Sequence, residues 1–120
     1  MAVRGIRGAT LLQDDDAIEM AEAVTELVAA MLERNGLTSD HLVSILFTAT
    51  PDLHSAFPAA AARALGLGDV PLICAQELDV SGALPRVVRV LAHVECDAPR
   101  AAIQHVYLRG AESLRQDLAT

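Results

Sequence analysis

Pro85-Arg86-Val87-Val88-Arg89-Val90-Leu91-Ala92-His93-Val94 has the β-branched density of a strand, yet two arginines stand inside it. The pattern predicts a long strand over 85–95. The opening Val3-Arg4-Gly5-Ile6-Arg7-Gly8-Ala9-Thr10 repeats the arrangement and predicts a strand over 2–12. A charge buried in an apolar strand is costly unless it is paired or bound to something. A guanidinium stays protonated and presents a rigid fork of donors suited to carboxylates. Arg4, Arg7, Arg86 and Arg89 are therefore expected to hold fixed positive charge in an apolar wall, which points to a small anionic ligand.

The segments around these two strands complete a fold. Asp14-Asp15-Asp16 supplies N-cap candidates, and Asp16 with Glu19 has capping-box spacing. The helix that follows is predicted to run to about Asn35, with Ile18, Ala21, Val24, Val28 and Met31 on its buried face. Gly36 is its stop. A short turn leads into a strand over 42–49, a loop over 50–57, and a second helix from Pro58 to about Gly66. Strands are predicted over 70–77 and 104–109, with a turn at Ser81-Gly82 and a helical turn from Asp97. The tail 110–120 has room for one turn and is read as mobile. Five strands and two main helices in this order predict a single α/β domain over 1–120, with a mixed sheet.

Composition limits the function. The 120 residues are 52% hydrophobic, with mean hydropathy +0.35. So apolar a surface on so small a domain predicts subunit contacts. No apolar run approaches the roughly 18 residues of a membrane span, and no signal-peptide pattern stands at the start. Cys74 and Cys96 form no spaced framework, which favours a reducing cytoplasm. A net charge of −7 argues against nucleic acid or an anionic membrane as partner, so any anion site must be local. The nine basic residues are all arginine, which removes Schiff-base lysine chemistry.

Several residues are candidates for chemistry. Glu77 ends a predicted strand and could be the counter-ion of Arg89 or Arg7. Along a straight strand Cys74 and Glu77 face opposite sides, so they share a site only if the chain turns near Gln76. Tyr107 is the only tyrosine. Arg7, Arg89 and Tyr107 as donors, Glu77 as acceptor and Phe57 as an apolar wall make one anion-binding set. His41, His54, His93 and His105 lack metal-ligand spacing, and no phosphate loop, nucleophile elbow or dinucleotide fingerprint is present.

Arg4-Gly-Ile-Arg7-Gly-Ala-Thr10, Thr48-Ala-Thr-Pro-Asp-Leu-His54, Ala56-Phe-Pro-Ala59, Gln76-Glu-Leu-Asp-Val80, Arg89-Val90 and His105-Val-Tyr-Leu108 span nearly the whole chain. In this order and spacing they resemble the AroH-class chorismate mutases. The resemblance implies a homotrimer shaped as a pseudo-α/β-barrel, with active sites in clefts between neighbours. It implies conversion of chorismate to prephenate by a [3,3] Claisen rearrangement, in phenylalanine and tyrosine biosynthesis, with no cofactor or metal. Carried over residue by residue, Arg7 and Tyr107 would bind a substrate carboxylate. Arg89 would reach the ether oxygen, and Glu77 would accept from the ring hydroxyl with Cys74 beside it. Ile73, Cys74, Ala75, Gln76 and Glu77 would line the ligand. Phe57 would be a wall, and Arg63, Leu114 and Arg115 the entrance and cover. Ala60 is a departure, because the family can carry a basic residue there. Small trimeric imine deaminases and a non-catalytic sensor of an aromatic-pathway acid are the competing readings.

Overall fold

The computed structural model describes residues 2–114. Its strands are β1 (Ala2–Leu11), β2 (Leu42–Ala49), β3 (Leu72–Gln76), β4 (Val87–Cys96) and β5 (Val106–Leu108). Its helices are α1 (Ala17–Glu33) and α2 (Pro58–Ala64), with 3-10 turns at Ser39–His41, Arg100–Ala102 and Ala111–Leu114. The five strands form one mixed sheet in the order β3-β2-β4-β1-β5. β4 runs antiparallel to both β1 and β2, while β3 and β5 are parallel edge strands. The expected α/β domain is therefore present, and the turn predicted in the tail is the one at Ala111–Leu114.

The core lies between one face of the sheet and the helices. Ile6, Ile45, Phe47, Val88, Val90, Ala92 and Val94 meet Met20, Ala23, Val24, Leu27, Val28 and Met31 of α1 and the buried alanines of α2. The buried stripe of α1 differs from the expected one: Ile18 and Ala21 are exposed, and Met20, Ala23 and Leu27 point inward instead. Gly8 explains the phase. A Cβ there would come 2.5 Å from the Met31 sulfur and 3.2 Å from Leu27 Cδ1, so the missing side chain makes the slot that α1 fills.

Asp16 caps α1 as expected, its Oδ2 accepting from the Glu19 N–H at 2.8 Å. The reciprocal half of the capping box is absent. Glu19 instead accepts from the N–H groups of Gln13 (2.6 Å) and Asp14 (3.1 Å), tying the end of the β1–α1 loop.

β4 begins at Val87, so Arg86 lies outside the strand predicted for it. Its φ of 53° is left-handed, which costs a non-glycine residue roughly 1–2 kcal/mol. The Asp52 carboxylate fixes that conformation by accepting the Arg86 N–H at 3.0 and 3.2 Å, and Arg86 Nε donates to the Leu12 carbonyl at 3.0 Å.

Candidate functional site

Cα partners across a sheet present their side chains to the same face. On the face away from the helices, register therefore draws one row from Tyr107 through Ala9, Arg89 and Thr48 to Ala75. The next row runs from Arg7 through Leu91 and Leu46 to Ile73. These two rows wall a recess of about 270 Å³ that contains Arg7, Arg89, Thr48 and Tyr107. Strand alternation thus corrects the expectation of buried charge. Arg7 is exposed and the Arg89 side chain is 43% exposed, because neither points into the core.

Glu77 continues the alternation one step past β3, its N–H donating to the Ala49 carbonyl at 2.9 Å. Its carboxylate accepts from Arg89 Nε through Oε1 at 2.9 Å. This contact is a single hydrogen bond and not a bidentate fork. The terminal nitrogens of Arg89 consequently have no partner among the described residues and remain available to a ligand. Glu77 Oε2 is buried and also unpartnered. The Arg7 guanidinium makes no ion pair among the described residues, while its backbone N–H donates to His105 Nδ1 at 2.9 Å. Tyr107 is buried against Ala9 and Ala111, and Leu114 packs on that cluster.

The structure brings Arg7, Glu77, Arg89 and Tyr107 together, with Ile73 and Ala75 on the same face. Cys74 does not join them. It stands opposite Phe47 on the helix side, because β3 runs without the turn near Gln76 that sharing a site would need. Cys74, Ala75, Gln76 and Phe57 instead line a second recess of about 420 Å³. Phe57 is 71% exposed, and Arg63 is exposed on the last turn of α2; neither lines the recess that holds Arg89. Arg115 lies outside the described residues.

Two features escaped the sequence reading. Thr48 stands beside Arg89 in the row; its alternation with Ser44 and Leu46 on one face of β2 was the available signal. Asp15 anchors the loop that carries Phe57, accepting from the N–H groups of His54 (2.9 Å) and Ser55 (3.0 Å). The His54 N–H is the main cause that holds the Asp15 carboxyl below its ordinary value of 3.8, and Ser55 adds to it.

The arrangement supplies fixed positive charge, a phenol and a carboxylate around an apolar floor. It can hold a polyanionic ligand and stabilise negative charge that develops on it. Comparison with known proteins points the same way. The family model described as chorismate mutase type I matches residues 3–118. The chorismate mutase AroH of Thermus thermophilus is 50% identical over 117 residues, covering 97% of this chain and 96% of its own. That of Bacillus subtilis (strain 168) is 42% identical over 120 residues, covering 99% and 94%. The solved structure of a chorismate mutase from Clostridium thermocellum superposes with a TM-score of 0.89 at 45% identity, over 91% of this chain and 97% of that one.

Proposed function

The chain belongs to the type I chorismate mutases, and from that premise we propose that the recess on the helix-free face of its sheet is the active site. The reaction is the conversion of chorismate to prephenate, a step toward phenylalanine and tyrosine. Breaking the ether C–O bond while a C–C bond forms needs neither a base nor a nucleophile. The protein's tasks are to hold a flexible enolpyruvyl ether in a compact chair and to meet the charge that grows on the ether oxygen.

Arg89 performs the second task through the terminal nitrogens left open by its single bond to Glu77. Arg7 and Tyr107 take a carboxylate, and Glu77 accepts from the ring hydroxyl. The pairing of Arg89 with Glu77, on the same face as Arg7 and Tyr107, carries this reading. No cofactor enters the scheme. The two free thiols suit the cytoplasm.

Phe57 and Arg63 cannot serve the recess of their own chain from where they stand. We assign them to the recess of a neighbouring subunit in a homotrimer. The apolar side chains on the open face support this, with Val3 58% and Ile73 65% exposed. Light scattering should give three times the 12.7 kDa chain mass. Loss of chorismate absorbance should proceed in the presence of a chelator. A fully active monomer would overturn the shared cleft.

A further inference from the structure

Two buried polar atoms have no hydrogen-bond partner among the described residues: Thr48 Oγ1, in the recess, and Glu77 Oε2, on the carboxylate that pairs with Arg89 beside it. Their positions are linked by the strand order. Arg89 is on β4 and Glu77 follows β3, with β2 between them. Adjacent strands lie about 4.8 Å apart, so the ion pair must reach across β2. The β2 residue in register with Arg89, and with Ala75 two residues before Glu77, is Thr48. The threonine side chain therefore stands beside Arg89, on the face across which Arg89 and Glu77 bond at 2.9 Å. One orphan is an ionised acceptor without a donor, and the other is a hydroxyl whose proton has no acceptor.

We propose that Thr48 is the positioning residue of the Arg89–Glu77 pair: its hydroxyl donates to Glu77 Oε2 and holds the carboxylate in place when Arg89 turns toward the ether oxygen. This rests on the active-site reading given above. In the ligand-free pair, the Glu77 carboxylate is held only through Oε1 among the described residues. Once substrate draws on Arg89, that bond weakens and the carboxylate needs a second donor. Thr48 is the unpaired neutral donor on that face between the two strands, whereas Arg7 and Tyr107 line the recess from β1 and β5. A hydroxyl suits this place because it adds no charge to compete with Arg89.

The test is a cycle of variants assayed with chorismate. Thr48→Val keeps the shape and removes the donor. It should lower kcat by about 10- to 100-fold, the range of one hydrogen bond to a charged group, with little change in KM. Its melting temperature should hold or rise, since a buried unpaired hydroxyl disappears. Thr48→Ser should restore most of the turnover. In a Glu77→Ala background, Thr48→Val should cost less than about twofold, because coupled residues are not additive. Wild-type turnover in Thr48→Val would overturn the proposal. So would an equal loss with and without Glu77, or a fall in melting temperature that Thr48→Ser fails to rescue. If Glu77→Ala itself keeps full turnover, the active-site reading fails and the role of Thr48 falls with it. If Glu77→Ala is impaired and only the coupling is missing, the site stands and the role of Thr48 alone is refuted.

Discussion

The two faces of this sheet are written in alternate letters of the same strands. In β4, Val88, Val90, Ala92 and Val94 are buried under the helices, while Arg89, Leu91 and His93 point the other way. In β2, Ile45 and Phe47 enter the core, while Leu46 and Thr48 do not. One face is finished within a single chain. The other holds the charged groups, an apolar floor and an exposed rim. The fold and the chemistry are therefore separable at single-residue resolution: a substitution on one face should spare what the other does.

The largest effect expected is on the covered face. Phe47 is fully buried, and Phe47→Ala should cost about 3–5 kcal/mol of stability. Thermal melting should fall steeply, while the fraction that stays folded keeps its kcat. Loss of kcat in fully folded Phe47→Ala protein would break the separation.

Arg89→Ala is the mirror case. It should lower kcat by roughly 10²–10³-fold, the scale of losing one oxyanion donor, with a smaller fall in melting temperature than Phe47→Ala, since Glu77 loses its partner. Arg89→Lys should recover part of this, since it restores charge without the fork. A loss confined to KM would make Arg89 a binding residue and not one that acts in the transition state.

Cys74 sharpens the boundary, because it neighbours the site in sequence and faces away from it in register. Cys74→Ser should keep most of the turnover and lose some stability from placing a hydroxyl against apolar neighbours. Abolished kcat with an intact fold would move Cys74 into the site.

The smallest effect belongs to Asp15. A carboxyl held below its ordinary value stabilises above that value and loses its contribution as pH falls through the folded one. Asp15→Ala should make the melting temperature less dependent on pH below about 4 and raise proteolysis of the Phe57 loop. An identical pH profile in both proteins would remove Asp15 as its anchor.

Local patterns carried most of the fold and long-range contacts decided the rest. Leu42–Ala49 was legible to the residue, because β-branched and aromatic residues run between a turn and Thr50-Pro51. The existence of α1 was equally plain, but its phase was not. Ala17, Ile18, Met20, Ala21, Ala23, Val24, Leu27 and Val28 leave apolar residues on most sides, and the slot at Gly8 chooses among them. Arg86 read as strand because nothing local reveals that Asp52 will seize its N–H. Of the set read from the sequence, Arg7, Glu77, Arg89 and Tyr107 share one face while Phe57 lines another recess, and Thr48 offered only its alternation with Ser44 and Leu46, which the strand order turns into a place beside Arg89. The reading of buried charge failed because an apolar strand sequence does not reveal which side will be covered.

The pairing of β1 with β4 sets Ala2 against Cys96, so β1 must wait for a strand that is synthesised long after it. At a ribosomal pace of 5–20 residues per second that delay is roughly 5–20 s. During it β1 has no strand to pair with, because its other neighbour, β5, is made later still. The sheet's centre cannot nucleate from the N-terminus. The earliest native pairing open to the nascent chain is the parallel one of β2 with β3, so the order of synthesis builds this sheet inward from one edge.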